Sequence, residues 1–197
     1  RVMLLKNKWL NLLLLSSLLG GSLFLAWNYF LIAYQKRRIL TLFNPESDPL
    51  GSGYHIIQSK IAIGSGGLTG KGLTKGSQSQ LDFVPEQSTD FIFSVLAEEL
   101  GFLGVLLLII IYSLIIYRCL ILSLKCEDNF SRLLGASLTF VFFTYIFVNI
   151  GMVSGLLPVV GVPLPLISYG GSSLITLMAS FGIIMSIHKH KGPRYLQ

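Results

Sequence analysis

The sequence predicts an all-α fold: a polytopic integral membrane bundle of helices. Three observations carry that expectation. Hydrophobic residues make up 52% of the chain and charged residues only 12%, against roughly 25% charged in an ordinary soluble domain. Mean hydropathy is +0.70, too high for one water-soluble core to hide the apolar surface, so lipid has to solvate part of it. Four stretches are also apolar over the about 20 residues that a helix needs to cross a bilayer.

The first span runs over about 9–34 and carries no charged residue between Trp9 and Tyr34. A loop of about 35–98 follows. The second span covers about 100–124 and contains the run LLLIIIYSLIIY; the third covers 133–157 and the fourth 167–187, leaving a tail at 188–197. Trp9, Trp27, Tyr34 and Tyr117 lie near span ends, where amphipathic rings favour the interface. The chain opens at Arg1 without an initiator Met or a signal peptide, and reads as the continuation of a longer protein. Cys119 and Cys126 are seven apart on a helix and its end, about 10 Å of rise. That is beyond disulfide reach, so two free thiols are expected.

Charge sets the expected topology. Four spans put residues 1–8, 118–132 and 188–197 on one side, with nine Lys and Arg against Glu127 and Asp128. The other side holds six Lys and Arg and seven acids. The positive-inside rule makes the first side cytoplasmic. The net charge of +6 therefore reads as membrane topology, and the absence of a long basic run argues against nucleic acid.

The outer loop, longer than about 15 residues, is of the kind that is functional or disordered. It is not low in hydrophobicity, so disorder is the weaker of the two readings. In YHIIQSKIAI, residues 54–63, His55, Gln58 and Ser59 share a helical face while Ile56, Ile57, Ile61 and Ile63 take the rest. That pattern suggests a short helix on the membrane surface, with Lys60 snorkelling. GSGGLTGKG, residues 64–72, fails the nucleotide-binding P-loop pattern at both ends, with Ser65 in the first position and Gly72 in the last. It reads as a tight glycine turn, or as a backbone concavity that, with Lys71, meets a phosphate. Asp82, Glu86 and Asp90 fall four apart in DFVPEQSTD, where Pro85 interrupts any single helix. For Asp90 two roles stand side by side: N-cap of the second span, or a functional carboxylate at the membrane boundary. Glu98 and Glu99 read as interfacial residues that end the loop. His55 has no Cys or His at metal-ligand spacing, so a surface hydrogen bond is expected of it. His188 and His190 belong to a basic tail suited to head groups. Asn149 and GMVSG, residues 151–155, read as helix packing, and PLPLISYGGSS, residues 163–173, as irregular backbone lining a site.

Three segments are more specific. ESDPLGSGYHIIQSKIAIGSGGLTGKGL, KGSQSQLDFVPEQSTDFIFSVLAEELGFLG and GMVSGLLPVVGVPLPLISYGGSS together resemble the SEDS family (shape, elongation, division and sporulation), and its elongation members more than its division members. The resemblance covers about residues 34–190. It implies that the four spans correspond to the last four of ten membrane helices, in the bacterial cytoplasmic membrane. The implied activity is a peptidoglycan glycosyltransferase polymerising lipid II into glycan strands on the outer side, during elongation and rod-shape maintenance. The aspartate of the family's TDFIF motif falls on Asp90, which the resemblance makes the catalytic base. The upstream acid, often Glu in the family, is Asp82 here, which shortens its reach toward any divalent cation, Mg or Mn. Weaker candidates for substrate or cation binding are Glu86, Lys60, Lys71, Arg37 and Arg38. Implied partners are a class B penicillin-binding protein, a transpeptidase, and other membrane proteins of the elongation complex. This piece alone is expected to be inactive. Two rival functions remain: a flippase for lipid II, disfavoured because the spans as read carry no charge mid-membrane, and a non-catalytic membrane partner of the transpeptidase.

Overall fold

The computed structural model describes residues 8–48, 51–76 and 89–189, and among them every regular element is helical. Asp82 and Glu86 lie outside the described residues. α1 spans Lys8–Leu25 and runs into a π-helical turn at Ala26–Phe30. α2 is Ala33–Phe43, followed by a 3-10 turn at Pro45–Ser47 and by α3, Ser52–Ser65. α4 is Ile92–Leu124, α5 is Asn129–Val153 and α6 is Gly171–Lys189. Leu12–Phe30, α4, α5 and α6 are each long and apolar enough to cross a membrane. In lipid a segment has to satisfy its own backbone polar groups, so even Ile-rich runs that favour strands in water become helices.

α4, α5 and α6 pack as a bundle. Lipid tails are as apolar as leucine, so close packing rather than exclusion of water holds such helices together. An aromatic column provides it. Tyr112 of α4 meets Phe142 of α5 edge to face at 6.0 Å, and Phe142 meets Phe181 of α6 at 5.2 Å. Each such pair contributes roughly 0.5–1.5 kcal/mol beyond its area. Gly135 lets α5 press on α4, since a Cβ there would fall 2.4 Å from Ser123 Oγ. Asp128 caps α5, its Oδ2 accepting the Ser131 N–H at 3.0 Å. Cys119 and Cys126 are both free and buried. In α1, every described side chain from Leu12 to Leu25 is exposed.

Three local readings of the sequence change. In α3 the buried face is Gly53, Ile56, Ser59 and Ala62. Ser59 is therefore inward, because its hydroxyl donates at 2.8 Å to the Val153 carbonyl, one of the acceptors left over at the end of α5. GMVSG is a helix terminus rather than a helix-packing motif. Gly155 has φ +71°, its N–H donates to Met152 O at 3.1 Å, and the Leu156 N–H donates to Gly151 O at 2.8 Å. That is the paired bonding of a Schellman cap.

The third change concerns α4, which begins at Ile92, inside the stretch read as loop, so Glu98 and Glu99 sit within the helix. The helix breaks at Gly101 (φ 67°, ψ −166°). A break in an apolar helix frees backbone groups, and here the glycine loop takes them up. Lys71 N–H and Gly72 N–H donate to Glu98 O and Glu99 O at 3.0 Å each. From the other side, Phe102 N–H and Leu103 N–H donate to Gly67 O and Leu68 O at 2.9 and 3.1 Å. The two backbones touch: a Cβ on Gly101 would lie 2.2 Å from Gly70 N, and one on Gly70 2.1 Å from Glu99 O. GSGGLTGKG is thus a backbone clasp for a broken helix, which is why it needs glycine. Beneath the clasp, fully buried Glu98 receives Lys71 Nζ at 2.7 Å.

Candidate functional site

At the start of α4 a cleft of about 440 Å³ opens between α2, the turn before α3, and residues 159–161. Asp90, Arg37, Arg38, Asp48, His55 and Tyr34 are among its lining residues. Each is placed by a distinct local cause. Asp90 sits in the turn just before α4, whose N-cap position is Phe91 with no side-chain cap. Its carboxylate rests against Gly161: a Cβ there would fall 3.1 Å from Asp90 Oδ2.

The two arginines are adjacent on α2 and are held differently. Arg37 Nη2 donates to Asp48 Oδ1 at 2.9 Å, with the arginine side chain mostly exposed and Asp48 nearly buried. Ser52 donates to the other Asp48 oxygen at 3.4 Å. Gly51 is small because a Cβ would fall 2.5 Å from Asp48 Oδ2. Arg38 donates one N–H to the Val159 carbonyl and lies 4.4 Å over the Tyr34 ring. A guanidinium has five donors, so most of the Arg38 fork is left for an anion. Cation–π contact and a carbonyl bond fix its plane, as bidentate phosphate recognition requires. His55 stacks on Phe91 at 5.6 Å rather than standing on an outer surface.

Val159 and Gly161, from the irregular segment between α5 and α6, close one side of the cleft, whereas residues 163–173, expected to line a site, are not among its lining residues. The segment turns through Leu164–Ser168, with Leu166 at φ +65°, a left-handed conformation unusual for a bulky side chain. The Ser168 hydroxyl accepts the Leu164 N–H at 2.7 Å and donates to the Thr89 carbonyl. Tyr112, midway along α4, donates its hydroxyl to Pro165 O at 2.6 Å. Asn149 of α5 donates to Asp90 O at 2.8 Å and to Val162 O at 2.7 Å.

Of the residues singled out in the sequence, the cleft gathers Asp90, Arg37 and Arg38. Lys71 is committed to Glu98. Lys60 lies across the end of α5, where a Cβ on Gly155 would fall 2.2 Å from its Cε. Neither lysine lines the cleft. Sequence reasoning missed Asp48, Tyr34 and the cleft position of His55. The available signal was the acid in ESDPLGS, set just before a helix on the same side as the arginine pair. Among the described residues no three His, Cys, Asp or Glu side chains converge as a metal site. Asp48 is held by Arg37, so these residues alone do not form a cation site.

The sequence profile of the FtsW/RodA/SpoVE family, described as cell cycle protein, matches residues 2–192. Over 165 residues the chain is 61% identical to the peptidoglycan glycosyltransferase MrdB of Escherichia coli K12, covering 84% of this chain and 45% of that protein. It is 46% identical over 155 residues to the peptidoglycan glycosyltransferase RodA of Treponema pallidum, covering 79% and 36%. The chain thus spans less than half the length of these relatives. Among solved structures, a chain described under structural coordination of polymerization and crosslinking by a peptidoglycan synthase complex superposes with a TM-score of 0.68. It is 36% identical, over 96% of this chain and 51% of that one.

Proposed function

Because this chain belongs to the FtsW/RodA/SpoVE family of cell cycle proteins, we propose that it forms the part of a peptidoglycan glycosyltransferase that carries the catalytic base. The substrate is lipid II, and the product is the glycan strand laid down during cell elongation. One observation carries this reading: a carboxylate, Asp90, shares a single cleft with two arginines, Arg37 and Arg38. That is the pairing a glycosyl transfer from a diphosphate donor needs.

The chemistry runs as one displacement. The acceptor sugar's 4-hydroxyl gives its proton to Asp90 while its oxygen bonds to the donor's anomeric carbon. The bond from that carbon to the diphosphate oxygen breaks, and its electron pair leaves with undecaprenyl diphosphate. An α-linked donor gives a β-linked product, as a single carboxylate base does in inverting glycosidases. Arg38, planar and held by Tyr34 and Val159, meets the departing diphosphate, while Arg37 at the mouth has its charge offset by Asp48. The polymerase works beside a crosslinking partner, a class B penicillin-binding protein transpeptidase, in one assembly.

The test is glycan synthesis by the purified intact protein from lipid II in detergent or in vesicles with lipid II on the outer leaflet. Strands resolved on a gel are expected; lipid II translocation with no strands would make the protein a flippase. Magnesium and manganese are titrated in the same assay with Asp82→Ala. A higher metal requirement in that variant assigns Asp82 to a cation, and an unchanged requirement with full activity removes Asp82 from the site.

This is a multi-pass membrane protein, with the cleft at the end of the bundle opposite the turn between α4 and α5. We place the cleft end outside the cytoplasmic membrane, on the charge asymmetry of the loops. With Cys119 and Cys126 replaced, a single cysteine at Ser77 should react in intact cells with an impermeant thiol reagent, and one at Ser131 should not. The reverse pattern would invert the topology.

A further inference from the structure

We infer that Asn149 is a positioning residue for Asp90, acting through the aspartate's backbone; the inference rests on Asp90 being the base. Asn149 is fully buried, 0% exposed, in the last third of a membrane-spanning helix. A buried amide there is costly unless its hydrogens are used. Both are used, and on two different pieces of chain: one donates to the Asp90 carbonyl at 2.8 Å, the other to the Val162 carbonyl at 2.7 Å. Two acceptors on one side fix which way the amide faces, because reversing it would set its oxygen against both carbonyls. Among the described residues Oδ1 accepts no hydrogen bond, although it is buried. Helix-to-helix packing asks only for some partner. This geometry selects the backbone of the base and the backbone of the wall beside it.

Those two pieces need a tie for a chemical reason. Asp90 lies in the turn before Ile92, outside the helix's own hydrogen-bond ladder, and its carboxylate rests on Gly161, the residue before Val162. Beside it, the Ser168 hydroxyl donates to the Thr89 carbonyl, a second tie between the turn of the base and the segment after α5. Asn149 therefore sets the depth and heading of the carboxylate relative to the cleft without touching substrate. A displacement of about 1 Å at a reacting group can cost about 10²-fold in rate.

The experiment is a mutant cycle in the intact polymerase with purified lipid II. Asn149→Ala should lower kcat by about 10²-fold, with KM for lipid II within about two-fold. In the Asp90→Asn background the same change should add less than about three-fold, because a residue acting through the base has nothing left to act on. Equal losses in both backgrounds would mean a general structural role and overturn the inference, as would a loss confined to KM or an unchanged kcat. Asn149→Ser, which keeps one donor, is measured by the same criteria if the alanine variant is not recovered folded. Near-normal activity of Asp90→Asn alone overturns the base assignment and this inference with it. An inactive Asp90→Asn with additive losses at Asn149 overturns only the inference.

Discussion

Asp90→Asn should cut glycan synthesis from lipid II by about 10²–10⁴-fold, the usual contribution of a positioned general base, while the protein stays folded in the membrane. Asparagine keeps the shape of the side chain and accepts hydrogen bonds through one oxygen, yet it takes up no proton. The substitution also separates the two roles that spacing alone left open. Asparagine serves about as well as aspartate at an N-cap, so a capping Asp90 would tolerate it with near-normal activity. The cap position of α4 falls on Phe91 instead, and carries no side-chain cap. The measurement is strand yield per folded protein for wild type and Asp90→Asn at matched membrane levels. Wild-type polymerisation by the variant would end the catalytic assignment.

What the sequence disclosed, and what it hid, follows from the range of the interactions. Span-forming segments are local, set by about 20 apolar residues each, and the helical bundle was legible from them. Asp90, Arg37 and Arg38, singled out in the sequence, do line one cleft. Asp48 and Tyr34 were not singled out for it. Asp48 joins Asp90 only because α2, α3 and the segment after α5 converge on one cleft, across 42 residues of chain. The glycine loop misled for the same reason. Its local pattern suggests a tight turn or an anion concavity; the turn is there, with Gly67, Gly70 and Gly72 at positive φ, but N–H groups of Lys71 and Gly72 are used on Glu98 and Glu99 carbonyls about 27 residues on. No local rule announces that a distant helix will break at Gly101 and need those donors. GMVSG shows the converse: an i, i+4 glycine pair fits helix packing equally well, until the left-handed Gly155 ends the helix.

The clasp also yields an asymmetric expectation for the part-buried ion pair beneath it. Glu98 is 0% exposed, and Lys71 Nζ, on a side chain 30% exposed, sits 2.7 Å from its Oε1. Ser65 offers Oε1 a long bond of 3.5 Å, a weak substitute for a cation. Lys71→Met should therefore destabilise the folded protein, by less than the roughly 3–5 kcal/mol of a fully buried pair, because it takes the cation from a buried carboxylate. Glu98→Leu should cost far less, since the freed lysine has a flexible four-carbon stem and a route to water or head groups. The double variant should recover most of the loss of Lys71→Met, as apolar replacement of a whole buried pair is often neutral. If Lys71 served substrate instead, Lys71→Met would leave stability intact while activity fell, and Glu98→Leu would not rescue it. Thermal unfolding of the purified intact protein in one detergent, with strand synthesis measured on the same samples, separates the two. An unfolding midpoint for Lys71→Met equal to that of wild type would remove the latch. Loss of stability that the second substitution restores would place Lys71 in the scaffold that holds the broken helix, and through it Asp90, in position.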